Sequence, residues 1–152
     1  MPDFPKLNFP AVVLPQRERD GKCYVPDRVR GGYIVLTPEE WVRRHVIEYL
    51  VNWCGVELQR IVTEYPVMLN GQPQRADIVV VGSDARARML VECKAADVEI
   101  SQAVLDQAVR YNSVVGAKYL MLTNGLKVFC YESLGEGRYA KMTSLPQGAV
   151  IE

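Results

Sequence analysis

The sequence predicts an α/β (α+β) domain in which a mixed central β-sheet is flanked by helices. Three observations carry this. Two segments place apolar residues at helical spacing between capping and stop residues, one over 37–55 and one over 101–116. Short runs rich in β-branched and aromatic residues alternate with turn signals over 58–94 and 118–131. The second helix stands between two such runs, and a strand–helix–strand crossover favours parallel pairing of the strands it joins.

Residues 1–20 contain four of the nine prolines and the charged cluster Arg17–Asp20, which reads as an extended arm lying on the domain. Lys22–Pro26 and Gly32–Leu36 read as two short strands joined by the turn DRVRGG. Arg28 and Arg30 sit at its tip and read as solvated turn charge, with a phosphate contact as the lesser alternative. Thr37-Pro38-Glu39-Glu40 is a helix start: Thr37 can cap, Pro38 suits the first helical position, and Glu40 can reach back to the cap. The stripe Trp41, Val42, His45, Val46, Tyr49, Leu50 and Trp53 then faces a sheet, and Gly55 supplies the stop. His45 falls on that stripe and reads as a packing residue, and both tryptophans read as core or lid residues.

Leu58–Leu69 is a long strand, Arg75–Val81 its antiparallel return, and Arg88–Lys94 a third strand after the turn Gly82–Ala87. Asn70-Gly71 is a hairpin signal, and Gln72-Pro73 suggests a loop longer than two residues. Ser101 caps the second helix, Gln102–Val115, and Gly116 ends it. Lys118–Thr123 and Leu126–Tyr131 are two more strands about Asn124-Gly125, and the tail 133–152 holds one short strand.

At 152 residues, the chain is long enough for one core and reads as a single domain over 1–152. Eighteen basic residues balance eighteen acidic ones, so net charge points to no particular partner. Cys23, Cys54, Cys93 and Cys130 are far apart with no C-x-x-C, as expected for a reduced chain without structural zinc. No secretory leader and no membrane-length apolar run is visible, so a cytoplasmic protein with no membrane partner is expected.

The chemistry concentrates between Arg75 and Tyr111. Asp77 and the pair Glu92-x-Lys94 lie in runs that otherwise read as buried strand, where a charge is costly unless paired or metal-bound. Glu92 and Lys94, two apart, point to one side of the sheet, while Val91 and Cys93 point to the other. Asp77 and Glu92 are equidistant from the turn centre at Asp84–Ala85, so they are expected as cross-strand neighbours. Two carboxylates that close resist joint ionisation unless a cation intervenes. Oxygen ligands suit Mg²⁺ or Mn²⁺. Lys94 is then placed to orient a nucleophile or stabilise charge on a phosphate. The competing reading is a structural ion pair at a sheet edge, which needs only two of the three residues.

These elements carry a family resemblance. RADIVVV, VECKA and a helix with QAVRYN resemble the PD-(D/E)XK nuclease superfamily. With LTPEEWVRRH and YLMLTNG added, the set is most similar to the N-terminal nuclease domain of type I restriction enzyme R subunits, in its small stand-alone form. The resemblance covers roughly residues 6–132 and implies a restriction-endonuclease-like core. It implies Asp77 and Glu92 as metal ligands, Lys94 as the catalytic lysine, and Gln107 as a catalytic residue that also contacts the substrate backbone. Tyr111 follows one turn later on the same helix face. Many members add an acid from the first helix. Glu40 fits that role and a capping-box role equally, with Glu48 as substitute. The superfamily proline before the aspartate is Ala76 here, a departure that touches no ligand.

The function expected is therefore a Mg²⁺- or Mn²⁺-dependent endonuclease that hydrolyses DNA phosphodiester bonds. Its expected partners are DNA and either a second copy or other subunits of a restriction or DNA-processing system. Arg43 and Arg44, near the first helix start, are substrate-binding candidates, with a solvated helix face as the competing reading. The chain contains no Walker A sequence and is not expected to translocate by itself: either it acts alone or it joins partners. The alternative function is a catalytically idle DNA- or protein-binding module that keeps the fold.

Overall fold

The computed structural model describes residues 4–146. The start of the predicted arm and the last six residues of the predicted tail lie outside that range. A small antiparallel sheet comes first, with strands β1 (Arg17–Arg19), β2 (Lys22–Pro26) and β3 (Tyr33–Val35) in that order. The arm is thus shorter than its composition indicated: its charged end pairs with β2 across Asp20-Gly21, where both residues take positive φ. The rest of the arm is anchored. Phe4 stacks on Trp41 at 5.4 Å, the Trp41 indole N–H donates to the Pro5 carbonyl (2.8 Å), and the Asn8 N–H donates to the Gly125 carbonyl (2.8 Å).

Helix α1 (Pro38–Asn52) starts as its sequence dictates, with the Thr37 hydroxyl accepting from the Glu40 N–H at 3.1 Å. The reciprocal half of the capping box does not form, because the Glu40 carboxylate turns instead to Arg43 and Arg44. Val42, Val46, Ile47 and Leu50 are buried, whereas Trp53, beyond the last turn, is exposed rather than packed. His45 packs as expected, edge-on to Trp41.

The main sheet has six strands in chain order: β4 (Ile61–Leu69), β5 (Gln72–Val81), β6 (Ala87–Cys93), β7 (Tyr119–Thr123), β8 (Val128–Gly135) and β9 (Arg138–Met142). Among the described strands only β6 and β7 pair in parallel, joined by α2 (Gln102–Val115). Leu58–Arg60, read as the beginning of β4, forms a 3-10 turn instead. The hairpin at Asn70-Gly71 is tight after all: Leu69 pairs with Gln72, and the two turn residues have φ of 49° and 76°. Both angles suit the primed turn that matches strand twist, and Pro73 is tolerated because β6 has ended before reaching that part of β5. Gly116 ends α2 in the left-handed region, but Ser101 makes no side-chain capping bond.

One helix covers each sheet face. Val42, Val46, Ile47 and Leu50 of α1 pack with Ile78, Val80, Met89, Val91 and Met121. Val104, Ala108 and Tyr111 of α2 pack with Val79, Leu90, Leu120 and Leu122. Alternation along β6 therefore directs Val91 and Cys93 to the α1 side, and Glu92 is the buried carboxyl on the other. No helix among the described residues is long and apolar enough to cross a membrane.

Candidate active site

The site lies where two paired strands part. Ile78 opposite Val91 is the last pair between β5 and β6, so Asp77 and Glu92, one step further, stand at a fork. A β-sheet ladder bonds the polar groups of each strand residue to a neighbour; here side chains do that work. The Asp77 N–H donates to Glu92 Oε1 at 3.4 Å, the Asp77 carbonyl accepts from Arg43 Nη1 at 3.4 Å, and Asp77 Oδ2 accepts from the Cys93 N–H at 2.7 Å. Turn symmetry thus brings this pair together as expected, despite a register shift at Val80/Val81 nearer the turn.

Burial dominates the electrostatics of Glu92, which is 4 % exposed. Loss of water, and then the Asp77 carboxylate, push its pKa from 4.5 up to about 9, with Lys94 pulling the other way. At neutral pH, Glu92 holds a proton and shares a hydrogen bond with Asp77. Lys94 follows directly after β6, with its N–H donating to the Thr123 carbonyl of β7 at 2.9 Å. Its ammonium is close enough to influence both Glu92 and Glu39.

Glu39 is the first-helix acid that faces the fork. Burial, and then Asp77, raise its carboxyl pKa, opposed by Lys94 and Arg43. Glu40, the metal-ligand candidate from the sequence, is buried in an ion-pair cluster. It contacts Arg43, and its Oε2 accepts from Arg44 Nε at 3.1 Å, while Arg44 also reaches Asp27 at 3.2 Å. That corrects the expectations for three residues. Glu40 is committed to two guanidiniums, and Arg43 and Arg44 are 6 % and 3 % exposed, so neither presents a surface to DNA. Glu48, the substitute, is engaged by Arg28 at 2.5 Å and by Asn52. The sequence did hold the signal: Arg43 and Arg44 are three and four residues after Glu40, the spacing at which helix side chains pair.

Helix α2 supplies the other wall. Gln107 Nε2 donates to Tyr111 Oη at 3.1 Å, and the Tyr111 hydroxyl donates to Gln74 Oε1 of β5 at 3.4 Å. The Tyr111 pKa is raised by burial and then by Glu92 and Asp77, which places the ring beside the carboxyl pair. Tyr111 is buried, so it braces Gln107 against β5 more than it offers a substrate contact. Gln74 was not singled out in the sequence, where it lies in an apparent turn.

The oxygen donors at the fork fit a hard divalent cation. Asp77 and Glu92 cannot both ionise at hydrogen-bond distance without one, and Glu39 and Lys94 stand alongside. Among the described residues, no three His, Cys, Asp or Glu side chains converge tightly enough to enclose a metal unaided. A cation held there would depend on two carboxylates together with water and substrate oxygens, the usual habit of Mg²⁺.

Residues 38–146 match the family model for the N terminus of type I restriction enzyme R proteins. The chain belongs to this family. No match was found among curated proteins. Among solved structures, the R-protein N-terminal fold recurs in a fragment described as an HsdR subunit of a type I restriction enzyme from Vibrio vulnificus YJ016. The TM-score is 0.58 at 21 % identity over 76 % of this chain, which corresponds to 24 % of that one. The chain thus spans about a quarter of that relative, and the likeness establishes the restriction-endonuclease-like fold. A protein described as a DUF820 nuclease from Anabaena variabilis ATCC 29413 is also similar, with a TM-score of 0.48 at 13 % identity over 88 % of this chain and 81 % of that one.

Proposed function

We propose that this R-protein N-terminal domain is a divalent-metal-dependent nuclease that hydrolyses phosphodiester bonds in DNA. The observation that carries the reading is the parted β5–β6 fork, where Asp77 and a proton-holding Glu92 share one hydrogen bond beside Lys94 and Glu39. Asp77 and Glu92 would hold Mg²⁺ or Mn²⁺, with Glu39 as a neighbouring acid outside that pair. The ion would supply charge neutralisation at the phosphate and favour ionisation of the attacking water. Lys94 directs its ammonium toward charge that develops on the phosphate oxygens. The Gln107 amide orients the substrate backbone from α2, with Tyr111 and Gln74 holding its rotamer. The partners are DNA and the other subunits of a restriction assembly, which would bring the substrate and any motor.

The idle-module alternative is favoured by a different observation, the absence of a closed three-ligand cluster among the described residues. Titrating Mn²⁺ into the protein and into Asp77→Asn, alongside digestion of supercoiled and linear DNA, separates the two. The nuclease reading expects saturable binding that the variant loses, together with cutting. DNA binding without Mn²⁺ uptake or cutting supports the idle module.

A further inference from the structure

Strand β4 contains a backbone irregularity whose position bears on the fork. Glu64 has φ of +51°, a strained left-handed conformation that non-glycine residues in strands rarely adopt. The β4–β5 register is the same on both sides of it, from Thr63 opposite Ile78 to Tyr65 opposite Ala76. The pair skipped between them is Glu64 and Asp77. The two-stranded ribbon turns over at that step. On the side nearer the Asn70-Gly71 turn, Tyr65, Val67 and Ala76 pack with α2, whereas beyond the step Ile61 and Ile78, of matching parity, pack with α1. Regular alternation would have kept each series on one face.

Arginines fill the polar gaps this creates. Arg30 Nη2 donates to the Thr63 carbonyl at 3.0 Å, and Arg43 Nη1 donates to the Asp77 carbonyl. Both guanidiniums, with Arg75, gather on the Glu64 carboxylate at 3.3 Å (Arg30), 3.8 Å (Arg43) and 3.7 Å (Arg75). From this geometry, we infer that Glu64 is a positioning residue: its left-handed backbone turns the β4–β5 ribbon over at Asp77 and so aims the Asp77 carboxylate at the Cys93 N–H and Glu92. The inference extends the proposed function, since it takes Asp77 as a ligand. It names a residue that makes no contact with the reacting atoms.

The test separates backbone conformation from charge. Glu64→Gly removes the carboxylate but accepts positive φ freely. Glu64→Val removes the same charge, while its β-branched side chain resists that conformation. Glu64→Gln restores length without charge. The readout is amide hydrogen exchange at Cys93, whose N–H is held by Asp77 Oδ2, with amides of β7 as internal reference. Glu64→Val is expected to speed Cys93 exchange at least about tenfold relative to those amides, with Glu64→Gly and Glu64→Gln within about threefold of wild type. Mn²⁺ affinity should follow the same order, falling about 10- to 100-fold in Glu64→Val alone, as for residues that orient metal ligands. Equal Cys93 exchange in the valine and glycine variants overturns the inference. If the wild type takes up no Mn²⁺, the nuclease reading fails, while the exchange data still decide the role of Glu64. A valine variant that does not fold would itself show that positive φ is required, provided the glycine variant folds with normal Cys93 protection. If both fail to fold, the role is charge-based and the inference is wrong.

Discussion

Replacing Glu92 by glutamine tests the electrostatics of the fork without DNA. In the folded protein, burial and Asp77 hold the Glu92 pKa at about 9, against 4.5 for a carboxyl in an unfolded chain. Between those values, the folded state keeps a proton that the unfolded state has lost. Folding stability therefore falls as pH rises through that window, by up to about 1.4 kcal/mol per pH unit. Across pH 5 to 8, the accumulated cost is on the order of 4 kcal/mol, a large share of the total stability of a domain this size. A glutamine in its place would have no proton to keep and little change in shape. Glu92→Gln should therefore flatten the pH dependence and gain on the wild type steadily as pH rises. Urea denaturation at pH 5, 6, 7 and 8, followed by the fluorescence of the two tryptophans, measures this. Saturating Mn²⁺ should narrow the difference, stabilising the wild type by about 2.7 kcal/mol at a hundred times Kd and leaving the variant unmoved. Parallel pH profiles for the two proteins, or a wild-type stability flat from pH 5 to 8, would refute the argument.

The remaining predictions concern neighbouring groups. Glu39→Gln should weaken Mn²⁺ binding about tenfold with little change in denaturation midpoint, by titration calorimetry and urea melts. Glu40→Ala should do the reverse, since it removes the carboxylate that two buried guanidiniums share; a loss of about 3 kcal/mol in stability is expected from urea denaturation, with metal binding retained in whatever fraction stays folded. Tyr111→Phe should cost about 1 kcal/mol through the hydrogen bonds to Gln107 and Gln74, and lower turnover more than substrate binding in steady-state assays. Gly125→Ala should loosen the N-terminal arm, because a Cβ there would come within 2.6 Å of Leu7 at a φ of +86°; faster proteolysis ahead of β1 and altered fluorescence of Trp41 would report it.

Much of the fold was legible because its signals are local. Thr37-Pro38 and Gly116 fix helix ends through conformations few other residues supply, and the helix between β6 and β7 dictates their parallel pairing. Asp77 and Glu92 could be paired from turn symmetry alone. The misreadings share a cause: each depended on which of two adjacent residues faces the sheet, or on an angle composition does not encode. Glu39 and Glu40 are equally good first-turn acids, and the phase of α1 is decided by Val42, Val46 and Leu50 against the sheet. Arg43 and Arg44 looked like surface charge because their partners, Glu40, Glu64 and Asp27, come partly from other elements. Nothing in the run Ile61–Leu69 announces a left-handed residue at its fourth position.

A reaction centre at the fork and a structural carboxyl pair there differ in what Lys94 does. The most direct test is the rate at which the protein nicks supercoiled DNA in Mn²⁺, compared with Lys94→Ala at matched metal and DNA occupancy. Metal-dependent nicking is expected, falling at least about a hundredfold in the variant, as when a single charge-stabilising group is removed from a reaction centre. Nicking that persists unchanged without the Lys94 ammonium, or no nicking by the wild type at any Mn²⁺ concentration, would contradict a reaction centre at the fork.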